Sequence, residues 1–204
     1  MRYTLRIGLI ALAAIVFVSL AITDVLAGPR DHDNGFFLRL SAGGGAAKTE
    51  ITYQGSTEEF SGGAGDFNFA VGGIVSPNLA LHGTLWGWLL SDPEYRVDNF
   101  TAQTNADVTL TAVGGGITYY FMPSNFYLSG SVGMGTLSLD AGGVSLETDA
   151  GAVIDVTLGK EWWVGNRWGL GAALGFGYHS IPDGGVDAKW SGPSFALRFT
   201  ATYN

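Results

Sequence analysis

Cysteine is absent from all 204 residues, which excludes disulfides, thiolate nucleophiles, cysteine-based zinc sites and an anchor built on a lipid-modified cysteine. Charge is scarce. Only 14% of the residues are Asp, Glu, Lys or Arg, and 18 acidic side chains outnumber 10 basic ones, so no basic patch is left for nucleic acid. Long apolar runs are missing as well: past Ile22 nothing approaches the roughly 20 residues that a spanning helix needs. Any mature chain is therefore soluble or crosses a membrane as strands. What the chain does have is glycine, 32 residues of it, against about 14 expected at an average usage of about 7%. No Gly-X-Y period runs through it, which excludes collagen. A composition 47% hydrophobic and 13% aromatic excludes disorder.

The N-terminus reads as a cleaved secretory signal. Arg2 and Arg6 give a positive start, Ile7 to Ile22 carry no charge, and Val25 and Ala27 supply small residues before a cleavage point. The expected organisation is a signal peptide at 1–27, a short N-terminal segment at 28–35 and one domain at 36–204. Loss of 1–27 removes Arg2, Arg6 and Asp24, taking the 10 basic and 18 acidic residues to 8 and 17, a formal charge of −9.

Within the domain the dominant signal is alternation at period two. Phe195, Leu197, Phe199, Ala201 and Tyr203 oppose Ala196, Arg198, Thr200 and Thr202; Ala152, Ile154, Val156 and Leu158 oppose Val153, Asp155, Thr157 and Gly159. A strand with such faces has one oily and one polar side. Eight strands are expected, at 36–47, 62–75, 79–90, 106–121, 126–138, 150–163, 168–179 and 190–203. Short links (Ser76-Pro77-Asn78, Met122 to Asn125, Val164 to Arg167) alternate with longer polar ones at 48–61, 91–105, 139–149 and 180–189. Strict alternation of short and long links is the pattern of an antiparallel up-and-down transmembrane barrel, with turns on the periplasmic side and loops outside. A soluble sandwich has no reason to segregate its loops in this way. Aromatics gather near the turn ends, where those facing lipid form an interfacial girdle.

The signal peptide, the eight alternating strands and the terminal run Phe195 to Tyr203 together resemble a small bacterial outer-membrane β-barrel of the OmpA/OmpX kind. Thr118 to Tyr127 and Gly159 to Trp163 look like strand and turn segments of that group. The resemblance implies an all-β, eight-stranded barrel in the bacterial outer membrane. It also implies an insertion signal at Phe199 and Tyr203 for the barrel-insertion machinery, with membrane lipid and lipopolysaccharide as the surroundings.

Eight strands enclose space for side chains but no open pore. Arg39, Asp66, His82, Asp155, Glu161 and Arg198 lie opposite the lipid-facing sets, and in hydrocarbon each would be costly, so they point inward. Counting from the turns puts Arg39, His82, Glu161 and Arg198 low in the lumen, with Arg39 and Arg198 against Glu161 and with Asp66 and Asp155 higher. A structural polar network is the favoured role. Trp86 and Trp88 are expected to fill the lumen opposite a glycine wall of Gly169, Gly171, Gly175 and Gly177.

For an enzyme, His179 is the one histidine placed near the outer leaflet, yet no serine motif, phosphate loop or metal-binding spacing accompanies it. Asp31-His32-Asp33-Asn34 reads as a solvated tail. No catalytic residue, cofactor or metal is expected. The acidic loops, from Glu50, Glu58 and Glu59 to Asp183 and Asp187, read as soluble loops, or else as a crown that meets a basic or cation-bridged partner. The function expected is structural or surface-interacting. Binding or passage of a small hydrophobic molecule, as in the OmpW type, is the alternative, and a lipid-modifying enzyme comes third.

Overall fold

The computed structural model describes residues 32, 33 and 35–204; the signal peptide, and all of the 28–35 segment except His32, Asp33 and Gly35, lie outside the described residues. Eleven strands follow in chain order: β1 (Gly35–Tyr53), β2 (Ser56–Ser76), β3 (Leu79–Ser91), β4 (Glu94–Val97), β5 (Phe100–Gln103), β6 (Ala106–Phe121), β7 (Phe126–Ala141), β8 (Val144–Glu147), β9 (Gly151–Trp163), β10 (Trp168–Pro182) and β11 (Lys189–Tyr203). The eight long ones pair antiparallel with their neighbours in sequence, and β1 pairs with β11 from Leu38↔Tyr203 upward. That last ladder closes the sheet into a barrel, which leaves no long edge to pair with another chain.

The eight expected strands are these eight, and β1, β2, β3, β7, β10 and β11 run further at the loop end. The segment 48–61, expected as a loop, continues β1 and β2 as one hairpin whose register is unbroken from Gly35↔Ile74 to Tyr53↔Ser56. Gln54 and Gly55 close it with φ of 52° and 86°, the two positive values that a tight primed hairpin turn requires. The segment 91–105 folds back as β4 and β5, with β4 laid against β2, and β8 pairs with the upper part of β7. Hydrogen bonding of these polar segments to an existing strand edge satisfies backbone groups that a free loop would leave to water.

Alternation sets the two faces. Outward positions carry Phe69, Val71, Leu81, Leu85, Val113, Leu128, Val132, Ile154, Leu158, Leu174, Leu197 and Phe199, all exposed. Between Lys160 near the turn end and Asp107 near the loop end, no outward position of the barrel strands is charged. At the turn end Phe36, Tyr119, Phe121, Phe126, Trp162 and Trp168 are exposed on the outside, whereas Phe37 and Tyr120 are fully buried within. An uncharged belt bounded by an aromatic ring is the exterior that lipid demands.

Candidate functional site

The lumen is layered. In the layer nearest the turns, the Arg39 guanidinium lies 3.7 Å from Glu161 Oε1 and donates through Nη2 to the Tyr120 hydroxyl at 2.8 Å. It also lies over the Tyr127 ring at 3.9 Å and within 5.1 Å of the Phe37 ring centroid, so the cation is held by aromatic faces as well as by a carboxylate. Glu161 accepts from the hydroxyls of Thr202 at 2.6 Å, Tyr120 at 3.3 Å and Thr200 at 3.4 Å. His82 is buried nearby, its ring nitrogens paired with Thr84 at 2.6 Å and Thr118 at 3.0 Å. Every charged group in this layer has a partner of opposite charge or several hydroxyls, the condition under which buried charge persists.

The layer above it centres on Arg198, and here the expected pairing is corrected. Arg198 does not face Glu161. Its Nη2 reaches Asp66 Oδ2 at 2.9 Å and Asp155 Oδ2 at 2.7 Å, and its Nη1 reaches Thr157 at 2.6 Å and Asp155 Oδ1 at 3.0 Å. Asn68 adds a hydrogen bond to Asp155 at 3.3 Å. The physical reason is stagger. Strands in a closed barrel are sheared against one another, so counting residues from each turn misplaces heights around the ring. The ladders carry Arg198 to Gly43 and Gly43 to Asp66, and this register places the arginine with the upper carboxylates.

The glycine wall is likewise reassigned in part. A Cβ at Gly169 or Gly171 would meet Glu161 at 3.1 and 2.8 Å, and one at Gly175 would meet the Arg198 guanidinium at 2.6 Å. These glycines therefore make room for the charged side chains. Only Gly177 shares a space with Trp86 and Trp88, a void of about 10 Å³ that Asp66, Asp155 and Arg198 also line.

Above the charges the interior turns apolar. Trp86 and Trp88 are buried with Leu90, Val108, Leu110, Leu137, Val153 and Ile181. His179 belongs to this layer: fully buried, its Nε2 paired with Thr49 at 2.8 Å and its ring 5.7 Å from Trp88. Over this layer, at the loop end, opens a cavity of about 470 Å³ with Phe60, Leu139, Leu146, Glu147, Asp183 and Trp190 among its walls.

The turn end is closed by a residue that the sequence reading misplaced. His32 is 2% exposed, not solvated. Its ring stacks on Tyr120 at 3.6 Å, its Nε2 pairs with Asn125 Oδ1 at 2.9 Å, and its Nδ1 meets the Asn204 side chain. Backbone bonds to Asn78 hold the segment in place. The other residues missed from sequence are hydroxyls and phenols, Thr118, Thr200, Thr202, Tyr120 and Tyr127, which alternation places inward but which read as ordinary strand formers. Gly159 carried the signal that was available. A Cβ there would lie 2.4 Å from Tyr127 Cζ, so the glycine lets the tyrosine lie flat across its strand beneath Arg39.

Phe199 points outward, and Tyr203 packs against Phe36 and Trp168 while accepting a hydrogen bond from Arg167 at 2.8 Å. At the loop end Lys48 bridges Glu50 at 2.7 Å and Glu59 at 2.8 Å, and Arg96 meets Glu94 at 3.0 Å. These hydrogen bonds raise the Lys48 ammonium above its ordinary range, and the bond from Lys48 lowers the Glu59 carboxyl. Among the described residues, no three His, Asp or Glu side chains are placed together to hold a metal ion.

No protein-family model matches the chain, and no curated protein matches its sequence. Among solved structures it is similar to neisserial surface protein A, at 16% identity over 84% of this chain and 99% of that one, with a TM-score of 0.56. It also aligns with the outer membrane protein OprG from Pseudomonas aeruginosa, at 12% identity over 84% of this chain and 96% of that one, with a TM-score of 0.44. At such identities the likeness is one of fold. With the uncharged outer belt and the closed ring of eight strands, the chain has the architecture of the bacterial outer-membrane β-barrels.

Proposed function

We propose that this outer-membrane barrel is closed to passage and works as a structural element of the membrane or through its outer face, without catalysis. The observation that carries the reading is Arg198, bonded at once to Asp66 and Asp155. An ion or solute on its way through would have to displace that bridge, then the Arg39–Glu161 pair, then the His32 floor. Displacing one member of a buried pair leaves an uncompensated charge at a cost of about 3–5 kcal/mol, a barrier that passage would meet twice.

The absence of catalysis rests on His179. A general base needs hydrogen-bond reach to a nucleophile with access to substrate, and this fully buried ring is spent on Thr49 beside Trp88 in the apolar layer. Membrane lipid and lipopolysaccharide are the surroundings we propose for the belt, and the barrel-insertion machinery the partner we propose for Phe199 and Tyr203. The test is solute uptake by vesicles holding the refolded chain: entry of small sugars no faster than into empty vesicles supports the reading, and rapid swelling overturns it.

A further inference from the structure

We infer that the loop-end cavity is a blind binding site for a single-chain amphiphile with an apolar tail and a positively charged head. Its volume of about 470 Å³ falls within the roughly 300–1,000 Å³ of small-molecule sites. Its walls come from separate elements: Phe60 of β2, Val108 of β6, Leu137 and Leu139 of β7, Leu146 of β8 and Trp190 of β11. Phe60, Val108 and Leu137 are buried in the lumen, Leu139 and Trp190 pack against them, exposed Leu146 stands at the mouth, and the apolar layer of Trp86 and Trp88 lies below. A tail that enters has no exit on the turn side, where Arg198 and its two carboxylates fill the lumen; to this extent the inference rests on the closed-lumen reading.

Charge at the rim selects the head. Glu147 and Asp183 line the cavity, and the Asp149 carboxylate lies against Gly184 of the same rim. No lysine or arginine is among the lining residues. Of the three basic side chains at this end, Lys48 is held by Glu50 and Glu59, Arg96 by Glu94, and Lys189, which opens β11 opposite Pro182, is not among the residues that line the cavity. Asp183 has a second part, because its Oδ2 accepts the Trp190 indole N–H at 2.9 Å and its Oδ1 the Gly185 amide at 2.9 Å. The carboxylate thus fixes the aromatic wall while keeping its charge at the mouth. An anionic head, phosphate or carboxylate, meets like charge there, and an ammonium meets opposite charge.

The experiment uses the refolded chain in phosphatidylcholine nanodiscs, with dodecylammonium, dodecanol and dodecanoate as probes, each brominated at the tail. Quenching of tryptophan fluorescence that is lost in the Trp190→Phe variant reports the site. Dodecylammonium is expected to quench at a concentration about tenfold below that of dodecanoate, and the Glu147→Gln, Asp149→Asn pair to narrow the gap to about threefold or less. Leu137→Phe combined with Leu139→Phe, which narrows the cavity without adding a tryptophan, is expected to abolish the signal for all three, with heat-modified gel mobility verifying that this variant is folded. Equal or tighter quenching by dodecanoate or dodecanol overturns the assignment of the head and leaves the apolar site standing. Absence of Trp190 quenching by every probe, or its survival in the Leu137→Phe, Leu139→Phe variant, overturns the site itself without touching the closed lumen.

Discussion

Asp66 and Arg198 lie on strands that do not pair with each other, yet both pair in register with Gly43, and across that glycine their side chains join. A Cβ at Gly43 would lie 1.9 Å from the Leu197 carbonyl oxygen, so only glycine lets β1 and β11 approach as they do. Gly43→Ala is expected to destabilise the barrel by about 1–3 kcal/mol, the usual cost of overpacking. Gly65→Ala, where a Cβ meets nothing within 4 Å, is expected to change little. Urea midpoints of the two variants in detergent check the contrast.

The Arg198 bridge gives an asymmetric prediction. Arg198→Ala leaves Asp66 and Asp155 buried and unpaired, and its expected cost is about 3–5 kcal/mol. Arg198→Met combined with Asp66→Asn and Asp155→Asn removes the charge altogether and is expected to recover most of that loss. A triple variant as unstable as Arg198→Ala, read from the temperature at which heat-modified mobility is lost, contradicts this account of the layer.

Gly159 and Tyr127 are expected to be coupled. Gly159→Ala pushes against the Tyr127 ring, lifts it from beneath Arg39 and costs about 1–3 kcal/mol. In a Tyr127→Ala background, where there is no ring to push, the same change is expected to cost much less. The double-mutant cycle measures the difference, and an additive result would show that the ring does not depend on the glycine.

At the loop end the signs are different. Lys48 holds the Glu59 carboxyl below its ordinary range, so any stability from the pair is present above the unfolded carboxyl value and is lost as pH falls through the lowered folded one. The Lys48 side chain is exposed and Glu59 half-buried at the surface of the loop-end hairpin, and surface pairs of this kind contribute at most about 1 kcal/mol. Glu59→Gln is therefore expected to leave the urea midpoint at neutral pH almost unchanged, whereas Glu161→Gln, in the buried layer, lowers it clearly.

The barrel was legible because lipid outside and a packed lumen inside write period two into every strand, as in the run from Phe195 to Tyr203. Inward residues such as Arg39, Asp66, Asp155, Glu161 and Arg198 were legible for the same reason. Which of them meet was not, because the meeting depends on shear, a property of the whole ring that no single strand records. The loop-end hairpins escaped because Gln54-Gly55 is a weaker turn signal than Asn-Gly and the Ser, Thr and Glu around it read as loop. His32 escaped because a lone histidine in a polar segment has no periodicity to place it. The cavity is assembled from seven separate stretches of chain, so no one stretch announces it.

The closed lumen is the centre of this account, and planar-bilayer recording on the refolded chain tests it most directly. The unaltered protein is expected to give no unitary current steps, and an Arg39→Ala, Arg198→Ala double variant that still folds is expected to give small ones as both charged layers loosen. Stable current steps from the unaltered chain, unchanged in the double variant, would contradict it.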